Sequence, residues 1–309
     1  MPRGAHLTLT ESATSGLFFI QRYRFLTIDQ FARATEANRS TAADQLRFFE
    51  RHGLLRYFGN TGLSGHGKTP KAYFLTRKGW ELLHRESDIP PELLGTHKEI
   101  KVDCRWSPQM YHRLRTVDLL IALEVAVRKR LRLSLVKTFL EYRRVKRGTQ
   151  IVRETTDYVD TPETPENRII PDAAFILENR ETHRRALFFL EMDMATERIV
   201  SYVLRDSRIT LHYKLSQYDR YLKSLRYRET YNAFGDFRFF TLLFVTLGKE
   251  RVEHVRSKMQ DLQESLSDYY RFTTFDAAMG DFLGAIWQSR LLSDTTRYSL
   301  VREEVAMSG

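Results

Sequence analysis

The sequence predicts a mixed α/β protein built in two parts. Three observations carry this. The first 86 residues read as successive short helices followed by a β-hairpin. A stretch with three prolines and no sustained period comes next, "SDIPPELLGTHKEIKVDCRWSP". The residues beyond it alternate helical stripes with strand-like apolar runs, the layout of an α/β domain. A chain of 309 residues is long enough for each part to have its own core.

Residues 12–23, "SATSGLFFIQRY", form the first helix, with Leu17, Phe18 and Ile20 as its apolar side. In "LTIDQFARATE", Thr27 caps a second helix that packs through Ile28 and Phe31. A third opens with capping chemistry at Asn38 or Ser40, carries the stripe Ala42, Leu46 and Phe49, and stops at Gly53. The strand "LLRYF", a glycine-rich loop and the strand "KAYFL" make the hairpin, and Thr76 caps a last helix. Helices followed by a hairpin are the order of a winged helix-turn-helix. The segment resembles the helix–turn–helix–wing pattern of bacterial regulators and plasmid proteins.

Residues 1–86 are therefore read as a winged-helix DNA-binding domain. Its groove-facing helix would present Arg39, Ser40, Thr41 and Gln45, and the wing would offer His66, Lys68 and Lys71 to phosphates. Winged helices also serve as protein-docking modules, and charge weighs against that use here. The segment holds 13 Lys/Arg against 7 Asp/Glu, +6 of the whole chain's +10. Such a balance favours duplex DNA over a membrane surface as the partner.

Residues 87–106 are read as a linker and 107–309 as the second domain. It opens with a helix striped by Leu114, Val117, Leu120, Ile121 and Val125. The strand-like runs "LSLVKTFLEYRRV", "RIIPDAAFIL" and "RALFFLEMDM" follow, then a long helix over about 200–225, the strand "FRFFTLLFVTL" and a charged amphipathic helix. No apolar run reaches the ~18 residues of a membrane span. The N-terminus lacks the apolar core of a secretory signal. The single cysteine, Cys104, excludes internal disulfides and a cysteine zinc site, so a cytoplasmic protein is expected.

Acids stand where apolar residues are expected. Asp172 follows Pro171, and Glu191 and Asp193 follow Leu187, Phe188, Phe189 and Leu190. Buried carboxylates are costly unless paired or bound to metal. Residues two apart on a strand share a face, so Glu191 and Asp193 project together, and Asp172 reaches the same cleft if its run lies alongside. Three converging carboxylates suit the hard-oxygen demand of Mg²⁺ or Mn²⁺, which would bind a scissile phosphate and lower the pKa of an attacking water.

These residues resemble the PD-(D/E)XK nuclease superfamily, whose restriction-endonuclease-like fold is thereby implied for the second domain. Pro171 and Asp172 stand for its PD element, and Glu191, Met192 and Asp193 for its (D/E)XK element. The departure is Asp193 in the lysine position. In several branches the lysine comes from the following helix, which here implies Lys214. Glu141, in "FLEYRRV", is an additional candidate acid.

The fuller order, a winged helix followed by PDA, LEMDMATE and KLSQY, resembles the replication-relaxation family of mobile-element proteins, similar in turn to MobC-type relaxases. The resemblance covers about residues 12–245. It implies plasmid or integrative-element processing by DNA binding near an origin, with strand nicking as the chemistry and plasmid replication or transfer proteins as partners. Asp172, Glu191, Asp193 and Lys214 carry over, with Thr196 and Glu197 as local supports.

Two other readings stand beside this one. A non-catalytic regulator of replication or transcription could keep the nuclease fold only to bind DNA, and Asp193 in place of lysine supports it. A homodimeric transcription factor could bind a small ligand among Tyr213, Tyr218 and Tyr221. A histidine-clustered relaxase is disfavoured, since the nine histidines contain no H-x-H. His112 reads as a packing residue of its helix.

Overall fold

The computed structural model describes residues 8–59, 62–63, 67–100, 107–195, 199, 210–260 and 268–301. It is a mixture of helices and sheets that divides into two compact units, Met1–Ile121 and Ala122–Gly309. The division falls beyond the proline-bearing stretch, inside a helix that begins at Pro108.

In the first unit, α1 (Glu11–Tyr23), α2 (Ile28–Thr35) and α3 (Arg39–Arg51) start where the capping chemistry directs. Thr27 accepts from Gln30 N at 3.3 Å while the Gln30 side chain accepts from Thr27 N at 3.0 Å, closing a capping box. Asn38 accepts from Thr41 N at 2.8 Å. Gly53 turns the chain out of α3 at φ +69°, a conformation that favours glycine. Leu17, Ile20, Phe31, Ala42, Leu46 and Phe49 are buried, whereas Phe18 is only half-covered and Phe19 takes its place in the core.

Strands β1 (Leu26–Thr27), β2 (Leu55–Phe58) and β5 (Ala72–Leu75) pair antiparallel in the order β1-β5-β2. Between β2 and β5 the chain makes a small pair, β3 (Gly62–Leu63) with β4 (Gly67–Lys68). Thr76 then caps α4 (Arg77–Glu86), followed by the short α5 (Pro91–Leu94) and α6 (Pro108–Arg128). No helix among the described residues is long and apolar enough to cross a membrane.

The second unit is built on a five-stranded sheet of order β14-β13-β12-β11-β6, comprising β6 (Leu133–Leu140), β11 (Ala173–Asn179), β12 (Arg185–Asp193), β13 (Phe240–Thr246) and β14 (Tyr270–Thr274). β6, β11 and β12 run antiparallel to their neighbours, and β12, β13 and β14 are parallel. The run "LSLVKTFLEYRRV" is not one strand. β6 stops before Glu141, and the chain turns into a hairpin of β7 (Arg144–Arg147) and β8 (Gln150–Arg153). A further pair, β9 (Asp157–Tyr158) with β10 (Arg168–Ile169), leads to Pro171.

Helix α7 (Leu211–Ser224) is described only from its cap at Thr210; residues 200–209 of the expected long helix lie outside the described residues. Its stripe of Leu211, Leu215, Tyr218 and Leu222 is buried, while Leu225 lies past its end with φ +59° and stays exposed. Tyr218 and Tyr221 pack edge-on and tilted against Phe189 and Phe240 in the core. Helix α8 (Arg226–Tyr231) brings Tyr227 and Tyr231 into the same cluster. Helix α9 (Lys249–Ser257) adds Val252 and Val255, and α10 (Phe275–Gly280) follows β14.

Candidate functional site

Strand register brings two of the acids together. Ala173 of β11 faces Leu190 of β12, so one step further along the antiparallel pair sets Asp172 beside Glu191. Met192 N donates to Asp172 Oδ2 at 2.8 Å and holds that carboxylate at the strand end. Glu191 is buried at 1% exposure, and Asp172 is half-buried.

Helix α7 supplies the partners. Lys214 and Tyr218 are one helical turn apart and therefore share a face. Lys214 Nζ lies 2.6 Å from Glu191 Oε2, and the Tyr218 hydroxyl donates to Glu191 Oε1. The lysine side chain keeps 35% exposure, so its ammonium sits between the buried acid and solvent. Burial pushes the Glu191 carboxyl up to about 8; the Lys214 ammonium opposes the rise and the Asp172 charge adds to it. Burial also drives the Tyr218 phenol well above its ordinary range, and its hydroxyl keeps its proton to donate.

Asp193 points to different partners. Arg251 of α9 places Nε 2.8 Å from its Oδ2, Thr246 Oγ1 donates at 3.1 Å, and Ala195 N donates to Oδ1 at 2.9 Å. The period-two rule that put it on the Glu191 face could not show that an arginine 58 residues on would claim it. Glu141 lies at the border of the site, its N–H donating to Asp172 O at 3.3 Å, but its carboxylate is paired with Arg153. Thr196 and Glu197 lie outside the described residues.

The donor set suits a small hard cation in one respect. Asp172 and Glu191 are neighbouring carboxylates, and Mg²⁺ is commonly bound by one or two carboxylates with water and phosphate oxygens completing its shell. Among the described residues no group of three or more His, Cys, Asp or Glu side chains is arranged around one point. Sequence reasoning misses Arg251, and it reads Tyr218 as a stripe residue or a ligand-lining aromatic rather than as a donor to Glu191. The i, i+4 spacing from Lys214 is the signal that could have found the tyrosine.

In the first unit, Arg39, Ser40 and Thr41 are exposed at the start of α3. Arg39 Nε lies 2.7 Å from Asp29, an exposed pair that adds little stability. Gln45 is half-buried, with its amide 3.5 Å from Ser12 Oγ. Lys71 holds its ammonium 3.9 Å from the centre of the Tyr57 ring. His66 and the Lys68 side chain lie outside the described residues. His112 is half-buried on α6.

No curated protein shows significant similarity to the chain. Residues 17–236, more than half of the chain, match the family model described as replication-relaxation. The match takes in the second half of α1, α2 to α6, the β6–β11–β12 part of the sheet and the Asp172–Glu191–Lys214 grouping. The chain belongs to the replication-relaxation family.

Proposed function

We propose that this chain is a DNA-binding protein of plasmid or mobile-element processing whose second unit nicks a DNA strand with Mg²⁺ or Mn²⁺. The observation that carries the reading is the buried Glu191 held between Lys214 and Tyr218, with Asp172 beside it. A core-packing role needs no buried acid facing a second carboxylate and a partly exposed ammonium, whereas phosphoryl transfer uses all three.

The first unit is read as a winged helix. Three helices, a small antiparallel sheet and the β3–β4 pair between β2 and β5 support this, as does the exposed polar start of α3. The second unit is read as a PD-(D/E)XK-like domain, on the support of the two acids at the ends of paired central strands.

Asp172 and Glu191 would hold the cation, which supplies charge neutralisation and a more acidic bound water. The chain's own residues set the rest. Met192 N–H and the Tyr218 hydroxyl fix the two carboxylates in place, so little reorganisation accompanies substrate binding. Lys214, anchored at Glu191 yet partly exposed, can face a non-bridging phosphate oxygen and stabilise the charge that grows there. In the nick itself, a water oxygen bonds to phosphorus as the bond to the leaving deoxyribose oxygen breaks; the attacking water gives a proton to solvent, and the leaving oxygen takes one from solvent to become a hydroxyl. The test is nicking of supercoiled DNA from the protein's own genomic neighbourhood in Mg²⁺, Mn²⁺ or EDTA. Metal-dependent nicking that Asp172→Ala abolishes supports the reading; nicking unchanged in Asp172→Ala excludes this site.

One observation favours a second reading, a regulator that binds DNA without cutting it. Asp193 occupies the lysine position of the (D/E)XK element, and Arg251 engages it. Duplex binding without nicking, equal with and without metal and unaffected by Glu191→Ala, would support that reading.

A further inference from the structure

The β7–β8 hairpin of the second unit is strongly basic. Its stretch "YRRVKRGTQIVR", residues 142–153, contains Arg143, Arg144, Lys146, Arg147 and Arg153 and no acid. Gly148 at φ +57° makes the tight turn between the strands, a position where a side chain would be strained.

Register sorts these residues by face. Arg144 pairs with Arg153 and Lys146 with Ile151, and the next pairs along the ladder point the other way. On the second face, Val145 and Val152 are half-covered and Arg147 folds back to the Thr156 and Glu154 carbonyls. The first face is open. Arg144 and Lys146 are exposed, and Ile151, across the ladder from Lys146, is 74% exposed. Among the described residues no acid pairs with Arg144 or Lys146, whereas Arg153 is held by Glu141.

The root of the hairpin is fixed to the acid site. Buried Glu154 accepts from Leu140 N at 2.8 Å, and Thr155 Oγ1 donates to the Pro171 carbonyl at 2.7 Å. Glu141, at the other end of the root, donates its N–H to Asp172 O. A four-residue ribbon roughly 13 Å long is therefore rooted beside the backbone of Pro171 and Asp172. A two-stranded ribbon of this size fits a DNA groove, its cations set for phosphates and an exposed apolar residue for sugar or base edges.

We propose that the β7–β8 hairpin is a second nucleic-acid contact, a basic arm that grips duplex DNA through Arg144, Lys146 and Ile151 and lays its backbone along the Asp172–Glu191 site. This rests on the reading of the chain as a DNA-binding protein, and names the arm by which the second unit holds its substrate.

The experiment measures affinity of the full chain for a random-sequence duplex of about 30 base pairs, by fluorescence anisotropy across a salt series. Wild type is compared with Arg144→Ala/Lys146→Ala and with Arg144→Lys/Lys146→Arg. Removing two phosphate contacts lowers the slope of log K against log salt by about 2 and weakens binding about tenfold or more at moderate salt. The charge-conserving pair retains the wild-type slope. Both side chains are exposed, so equal unfolding temperatures show that the alanine pair has not damaged the fold. An unchanged slope in the alanine pair, with wild type still binding, overturns the arm and leaves the functional reading standing. A wild type that binds no duplex at any salt overturns both.

Discussion

Lys214 Nζ and Glu191 Oε2 lie 2.6 Å apart, the lysine reaching from α7 to an acid buried on β12. Burial outweighs the ammonium, and the Glu191 carboxyl is pushed up from 4.5 to about 8. A raised carboxyl favours the folded state most while it is protonated. Its contribution is therefore complete below about pH 4.5 and is lost as pH rises towards 8. In metal-free buffer, Glu191→Gln should flatten the fall of unfolding temperature between those limits, and Lys214→Met should steepen it. Thermal unfolding across the pH range checks both; equal profiles for all three proteins would contradict the pairing.

Arg251 is the cation partner of Asp193, which is 5% exposed. Arg251→Ala leaves that charge buried with only Thr246 and Ala195 N–H to satisfy it. The loss should be about 2–4 kcal/mol in denaturant unfolding. Arg251→Ala/Asp193→Asn should recover part of it, because the charge goes with its partner.

Gly79 sits in the first turn of α4 against the chain that leaves α3. A Cβ there would stand 2.2 Å from the Leu54 carbonyl oxygen, and backbone cannot swing aside as a side chain can. Gly79→Ala should destabilise the first unit by about 1–3 kcal/mol, despite the better helix propensity of alanine. Urea unfolding of the full chain, followed by tryptophan fluorescence at Trp80, measures it.

Arg39 tests the proposed DNA face without disturbing the fold. Its pair with Asp29 is exposed on both sides, so Arg39→Ala should leave the unfolding temperature within about a degree. Duplex affinity should drop severalfold, with a salt slope lower by about 1. Affinity unchanged by Arg39→Ala would move the contact away from the start of α3.

What was legible in the sequence was local. Thr27, Asn38 and Thr76 announce helix starts because a cap bonds to backbone three residues ahead. The strands around Asp172 and Glu191 show as apolar runs because both faces of these central strands are buried, and Lys214 stands close enough to its helix stripe for its reach to be anticipated. What escaped depends on distant partners or on interruptions of period. Asp193 shares the alternation of Glu191, yet the arginine that binds it comes from α9. The run through Glu141 keeps a strand-like composition across the turn where β6 ends, so Arg144 and Val145 of β7 read as its continuation. Phe18 and Phe19 are adjacent and equally apolar, and only packing decides which is buried.

The most direct test of the central claim is the nicking rate of supercoiled DNA by Glu191→Gln and Lys214→Met beside wild type, in Mg²⁺. The substitutions keep side-chain size while removing the charge at each end of the 2.6 Å pair. The account predicts metal-dependent nicking by wild type, a loss of at least about a hundredfold in each variant, and duplex binding retained in both. Equal nicking by all three proteins, or duplex binding with no nicking by any of them, would contradict it.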